Sequence, residues 1–217
     1  MAHRDATPHT ELVATSDVNS EAPPKRLGTS LTRDAVLAAA TREYLAGRPL
    51  DMSALAAEVG IGRSTLYRLV GTREDLLSVV LGEAADRTFA YARKHTTAPG
   101  GAERIVEVMD RFMHAVAEAR PLQELSRREP LVIVRILLIP GPVEKVSGRN
   151  VAAMLAKEEA AGRLELSLPP DVLGLAIIRM CDAHLYAPLL GRTDPEIDTG
   201  LDLVAALLGH TRRPATK

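Results

Sequence analysis

From about residue 29 the apolar positions recur every three to four residues, the period of helices packed on one side. Ala35, Val36, Ala39, Ala40 and Tyr44 fall on one stripe. They predict a first helix capped near Thr32, with Asp34 in its first turn, and stopped by Gly47 and Pro49. Two short helices follow, over 53–59 and 63–70. Asp51 or Met52 stands at the cap of the first, and Gly60 and Gly71 close them. Thr72, with Glu74 and Asp75 behind it, caps a long fourth helix reaching about residue 94. Beyond it the pattern predicts helices over 102–120, a short one opened by Pro121, then 131–139, 143–161, 171–190 and 194–208. The expected fold class is all-α: a helix-turn-helix domain of three helices over 29–75, then a helical domain over 76–210. Polar tails are expected at 1–28 and 211–217.

Composition sharpens this. Hydrophobic residues make up 46% of the chain and aromatics only 3%, so alanine and leucine carry the core, which favours helices over sheets. With 27 Lys and Arg against 28 Asp and Glu, the net charge is -1, so contact with nucleic acid has to come from a local patch. The single cysteine, Cys181, excludes an intrachain disulfide and a Cys-rich zinc module. The longest apolar run, 131–139, is too short to span a bilayer and holds Arg135 at its middle. The expectation is a cytoplasmic protein without a membrane segment. Lys25 and Arg26, at the end of the N-terminal tail, leave two readings: an arm in a minor groove, or a solvated tail.

Two short helices joined by a glycine turn form a helix-turn-helix. Ala56 is small enough for the two helices to approach closely, and Gly60 supplies the turn. Leu55, Val59, Ile61 and Leu66 fill the core between them. Arg63, Ser64, Thr65, Tyr67 and Arg68 are left pointing outward from one short helix. Such a helix fits the major groove, and Arg63, Arg68 and Arg73 add three positive charges without an intervening acid. A solvated face would also carry arginines. The coincidence of short helices, glycine turn and polar set points instead to double-stranded DNA.

Over residues 31–81 the chain resembles the N-terminal domain of TetR-family transcriptional regulators. The resemblance rests on Thr65-Leu66-Tyr67-Arg68 followed by Gly71-Thr72-Arg73-Glu74-Asp75-Leu76-Leu77. It implies that Thr65 touches bases or backbone in the groove, that Tyr67 donates to a phosphate, and that Arg73 and Ser53 hold two more. Leu69, Val70 and Gly62 depart from the family's usual histidine, phenylalanine and Ser or Thr cap. The second half resembles QsdR-type regulators, which are associated with degradation of quorum-sensing lactones. This likeness is carried by Pro121-Leu122, Arg128-Glu129-Pro130, Arg135, Gly141, residues 157–164, Ile178-Arg179 and Tyr186-Ala187. It implies a small, fairly apolar effector such as an acyl-lactone.

An effector pocket has apolar walls and few polar groups. Met109, Phe112 and Met113 share one helix face, and Ile177, Met180 and His184 share another. Each also fits plain core packing. Arg135 either binds an effector oxygen or pairs with Glu129 or Asp182. His184 either donates to a ligand or is a satisfied core histidine. His114, beside Asp110 and Glu118, belongs to a solvated face. The helices over 171–190 and 194–208 carry enough apolar surface to pair with their copies, as the resemblance implies. A homodimer also follows from specificity, because one short recognition helix reads too little sequence. Two related by a two-fold axis read half-sites about 34–36 Å apart.

The functional expectation is a homodimeric, ligand-responsive repressor that leaves a near-palindromic operator when a small molecule binds. The alternatives are an effector-independent DNA-binding protein and an enzyme acting on a lactone-like molecule. No P-loop, GxSxG elbow or HExxH is present, so no catalytic residue, cofactor or metal is assigned.

Overall fold

The structure, a computed structural model, describes residues 29–212. The expected tail over 1–28, with Lys25 and Arg26, lies outside the described residues, as does 213–217 of the C-terminal one. The described residues form ten α-helices and no strand: α1 (Thr29–Leu45), α2 (Met52–Val59), α3 (Arg63–Val70), α4 (Arg73–His95), α5 (Gly101–Ala117), α6 (Arg120–Arg128), α7 (Pro130–Leu138), α8 (Pro142–Ala160), α9 (Pro170–Leu185) and α10 (Ile197–Leu207). No helix among them is long and apolar enough to cross a membrane.

Local signals set most of the helix ends. Asp51 caps α2, its Oδ1 accepting from the amides of Ser53 at 2.7 Å and Ala54 at 3.1 Å. These bonds hold its carboxyl below the usual range. Gly60, at φ 72°, closes α2, and the Ile61 amide donates back to the Ala56 carbonyl at 2.9 Å. Thr72 and Asp75 form a reciprocal box: Asp75 N donates to Thr72 Oγ1 at 3.1 Å, and Thr72 N donates to Asp75 Oδ2 at 2.8 Å. A proline in the first turn opens each of α6, α7, α8 and α9, where its missing N–H costs nothing.

Four boundaries differ from the periodic reading, one of them the start of α10, at Ile197 rather than 194. α1 starts at Thr29, so Thr32 lies inside the first turn and is buried rather than capping it. α5 ends at Ala117, and Arg120 already belongs to α6. α9 ends at Leu185 instead of 190, and Ala187–Leu190 winds into a separate 3-10 turn. Pro188 is the cause: inside an α-helix its ring would clash with the carbonyl of His184. That carbonyl instead accepts from the Glu196 amide at 2.9 Å, and α10 begins just beyond.

The apolar faces bury into two cores. The first joins Val36, Ala40, Leu55, Leu66 and Leu76 to Leu122, Leu125, Ile133 and Ile136, so the three-helix unit shares its core with α6 and α7. The second gathers Phe89, Ile105, Met109, Leu155, Ile177 and Leu201 from α4, α5, α8, α9 and α10. α4 belongs to both: Leu76 to Leu81 enter the first, and Ala85 to Ala92 enter the second.

α8 and α9 are pressed together where Gly148 faces Gly174. A Cβ on Gly174 would stand 2.7 Å from the Ala152 nitrogen and 2.9 Å from the Gly148 carbonyl oxygen, both backbone. A Cβ on Gly148 would meet only ordinary contacts, at 3.7 Å from Leu175. Gly174→Ala is therefore expected to destabilise the protein by about 1–3 kcal/mol despite alanine's better helix propensity. Gly148→Ala is expected to be neutral or slightly stabilising. Thermal unfolding followed by circular dichroism checks the contrast; equal melting temperatures for the two variants would refute it.

Candidate functional sites

α3 turns Leu66 and Val70 inward and leaves Arg63, Ser64, Tyr67 and Arg68 exposed, with Thr65 half-buried beside them. Tyr67 keeps 41% of its surface open, high for a tyrosine on a helix packed in a small core. Ser53 is exposed in the first turn of α2. Arg68 makes no ion pair among the described residues. Arg63 lies close enough to Asp51 to add slightly to the lowering of its carboxyl, after the two backbone amides. These side chains form one polar, cationic face of the kind that a groove or a phosphate row accepts.

Arg73 differs from the expected free phosphate-holding side chain. Its guanidinium is forked onto Glu129, with Nη1 to Oε2 and Nη2 to Oε1 both at 2.7 Å, and its Nε donates to the Leu50 carbonyl at 2.9 Å. Sequence reasoning offered Arg135 an effector oxygen, Glu129 or Asp182, and none of these is its partner. The structure gives Arg135 to Glu74 at 3.5 Å, with the Arg135 side chain well exposed. The reason is geometric. α7 packs Ile133, Ile136 and Leu137 inward, and position 135 falls on the opposite side, where Leu131 is also exposed. A charge inside an apolar run is buried only if the whole circumference is packed. Arg128 completes the set by donating to the Gly47 carbonyl at the end of α1. Three arginines thus tie the first turn of α4 and the connection between α1 and α2 to α6 and α7.

Of the six other effector candidates, five belong to or pack against the second core. Met109, Met113 and Ile177 are wholly buried in the second core. Phe112 stacks on Phe89, ring centroids 3.8 Å apart. Met180 is half-buried against the second core. His184 Nδ1 lies 3.1 Å from Glu196 Oε2, the satisfied histidine of the plainer reading. His114 sits on the surface, 3.3 Å from Asp110.

Of these, only Phe112 reaches the cavity of about 440 Å³ that opens between the two cores. Its walls come from seven helices. Leu81, Ala85, Val116, Leu122, Leu137 and Val143 supply apolar surface, and Tyr44 and Leu45 bring the end of α1 into it. Its polar lining includes Ser147, Asp182, Tyr44 and Tyr186. Burial pushes the Asp182 carboxyl up to about 7, with the charge of Glu144 adding to it. Glu144 itself is committed to Arg179, whose Nε donates to it at 2.6 Å. Burial also raises the Tyr44 hydroxyl to about 12 and carries Tyr186 well above its ordinary value, where Asp182 and then Tyr44 contribute further. Cys181, next to Asp182, is likewise raised to about 12 by burial and is no nucleophile. Sequence reasoning named Asp182 only as a partner for Arg135. The signal was available: Ile178, Asp182 and Leu185 share one face of α9, which sets an acid between two buried apolar residues.

Residues 100–209 match the family model described as the tetracyclin repressor-like C-terminal domain. The structure of the transcriptional repressor QsdR of R. erythropolis, from the TetR family, superimposes with a TM-score of 0.84 at 45% sequence identity, over 87% of this chain and 100% of that one. AlkX of Dietzia sp. strain DQ12-45-1b, a TetR-family repressor implicated in biodegradation of n-alkanes, gives a TM-score of 0.56 at 17% identity, over 86% of this chain and 96% of that one, and so shares the fold. No curated protein matches the sequence. The helix-turn-helix with its exposed cationic face, the helical second half and this close likeness lead to one conclusion: the chain belongs to the TetR family of transcriptional regulators.

Proposed function

We propose that the protein is a homodimeric, sequence-specific repressor that leaves a near-palindromic operator when a small, largely apolar effector enters the cavity between the two cores. The observation that carries this reading is the cavity's wall. It includes Tyr44 and Leu45 of α1 together with residues of α4, α5, α8 and α9, so a ligand there touches the three-helix unit and the second core at once. The helix-turn-helix domain of this proposal is 29–75, and the effector and dimerisation domain is 76–210. A ligand shifts the equilibrium only by binding one arrangement better than the other. Filling a space bounded by both cores is a direct way to do so, with α4 as the lever. Likeness to QsdR and the cavity's apolar walls favour an effector of the acyl-lactone kind, sensed in the cytoplasm where the operator lies.

The DNA contacts assigned are Ser53, Arg63, Ser64, Thr65, Tyr67 and Arg68, with Arg73 joining when Glu129 releases it. Dimerisation is assigned to α9 and α10. Outside the fold's own core they leave Val172, Ala176 and Ala183 on one helix and Leu203, Ala206 and Leu207 on the other facing outward. Exposed apolar stripes on adjacent helices suit an isologous four-helix contact.

Fluorescence anisotropy on the DNA upstream of the gene, with random DNA as control, tests the reading. Selective binding to the upstream fragment, released by added acyl-lactone, is expected. Equal, weak and strongly salt-dependent binding to both would count against it. Changing Tyr67→Phe together with Arg68→Ala should weaken operator binding by at least about tenfold at physiological salt, since each lost contact to base or phosphate is worth about 1–3 kcal/mol. The melting temperature should not move; unchanged affinity would remove α3 from the groove. Glu129→Gln should free Arg73 for phosphate, so the slope of log affinity against log salt should steepen by about 1. An unaltered slope would leave Arg73 a purely structural residue.

A further inference from the structure

Three polar groups of the cavity wall, Asp182, Tyr44 and Tyr186, stand close together without protein partners, whereas Thr88 on the same wall donates to the Ala84 carbonyl at 2.9 Å. Among the described residues no group donates to the Asp182 carboxyl, and neither the Tyr44 nor the Tyr186 hydroxyl makes a hydrogen bond to protein. The three stand near one another, since the charge of Asp182 and the hydroxyl of Tyr44 both act on Tyr186. Glu144 is held by Arg179, and Arg87, at the exposed edge of the cavity, lies 3.8 Å from Glu83. No cation is therefore placed to neutralise Asp182. Asp182 is half-buried and opens onto the cavity, a costly place for a carboxyl without a donor, and nothing in the packing of α9 calls for one there, because Leu185 and Ile178 on the same face fill the core. A costly polar group at the wall of an apolar cavity marks a binding function.

We infer that the cavity takes an apolar chain whose polar head carries a hydrogen-bond donor beside an acceptor, the amide being the simplest such group, with Asp182 accepting from the donor and the Tyr44 and Tyr186 hydroxyls donating to the acceptor. This rests on the reading of the cavity as the effector site and adds the chemistry of the effector's head. The alternatives each leave something unmet. A carboxylate offers only acceptors and brings a second negative charge against Asp182. An ester, a lactone ring included, offers only acceptors and leaves the ionised carboxyl bare unless an N–H stands beside it. An ammonium offers only donors, so the hydrogens of both hydroxyls are left without an acceptor, and it loses its hydration on entry. The burial that raises Asp182 to about 7 sets the working condition: above that pH it is ionised and selects for the donor.

The test is calorimetric titration of the full-length protein at pH 8 with four ligands sharing one chain: decanamide, methyl decanoate, decylamine and decanoate. Decanamide is expected to bind at least about tenfold more tightly than each of the other three, the ordinary worth of a buried hydrogen bond to a charged group. Asp182→Asn removes the charge and supplies an N–H, so decanoate should rise to within a few-fold of decanamide. Asp182→Ser reads the same ratio if the asparagine variant folds poorly. Changing both Tyr44→Phe and Tyr186→Phe should weaken decanamide and spare decylamine. Decanoate or methyl decanoate binding as tightly as decanamide to the unaltered protein would overturn the inference, as would an unchanged ranking in both Asp182 variants or no binding by any of the four. Ala115→Leu and Ala84→Leu separate this from the underlying reading. Both narrow the cavity, so binding that survives them places the ligand elsewhere and overturns the effector site itself. Binding that they abolish, without preference for the amide, overturns only the head-group assignment.

Discussion

The architecture depends on one helix serving two hydrophobic cores. α4 buries Leu76, Leu77, Val80 and Leu81 against the three-helix unit and α6–α7, then buries Ala85, Phe89 and Ala92 against α5 and α8. A helix is stiff along its hydrogen-bonded axis, so a displacement of its second half has to appear at its first. Arg73, in the first turn of α4, is forked onto Glu129 between α6 and α7, and Glu74 beside it meets Arg135. The helix that reaches into the second core is therefore also the one fastened to the base of the three-helix unit. The cavity lies beside it at the change from one core to the other.

Burial explains the unusual groups in that cavity better than any pairing does. Asp182, Tyr44, Tyr186 and Cys181 all shift toward their neutral forms, and in each the largest cause is removal from water. Elsewhere in the chain acids are lowered by defined partners, as Glu129 is by Arg73 and Asp75 is by Thr72. The contrast separates two uses of polar groups. Those that fix helix ends and join helices are satisfied by protein, whereas Asp182, Tyr44 and Tyr186 on the cavity wall have no protein partner among the described residues.

Much of the fold was legible because it is written locally. Asp51, Gly60, Thr72 with Asp75, and the run of helix-opening prolines act within one turn of chain, and the boundaries they predict match the structure within about a residue. The exposed cationic face of α3 was legible for the same reason, since one eight-residue helix has to bury Leu66 and Val70 and so must expose Arg63, Tyr67 and Arg68. The cavity was not. Its wall combines residues as far apart as Tyr44 and Tyr186, and the periodicity of one helix cannot show which apolar stripe meets another and which meets a void. Met109, Met113 and Ile177 looked like a pocket because pocket and core share a composition. The ion pairs of Arg73 and Arg135 were hidden likewise, because each partner stands more than fifty residues away along the chain.

The placement of the aromatic hydroxyls has a spectroscopic consequence. The chain has no tryptophan and four tyrosines. Three of them, Tyr44, Tyr91 and Tyr186, line the cavity, and the fourth, Tyr67, stands on the exposed face of α3. The ultraviolet emission of the unlabelled protein therefore originates only at these two places. A molecule entering the cavity and a duplex closing over α3 would each act on a different subset of the same four emitters, so the protein carries its own optical record of both events.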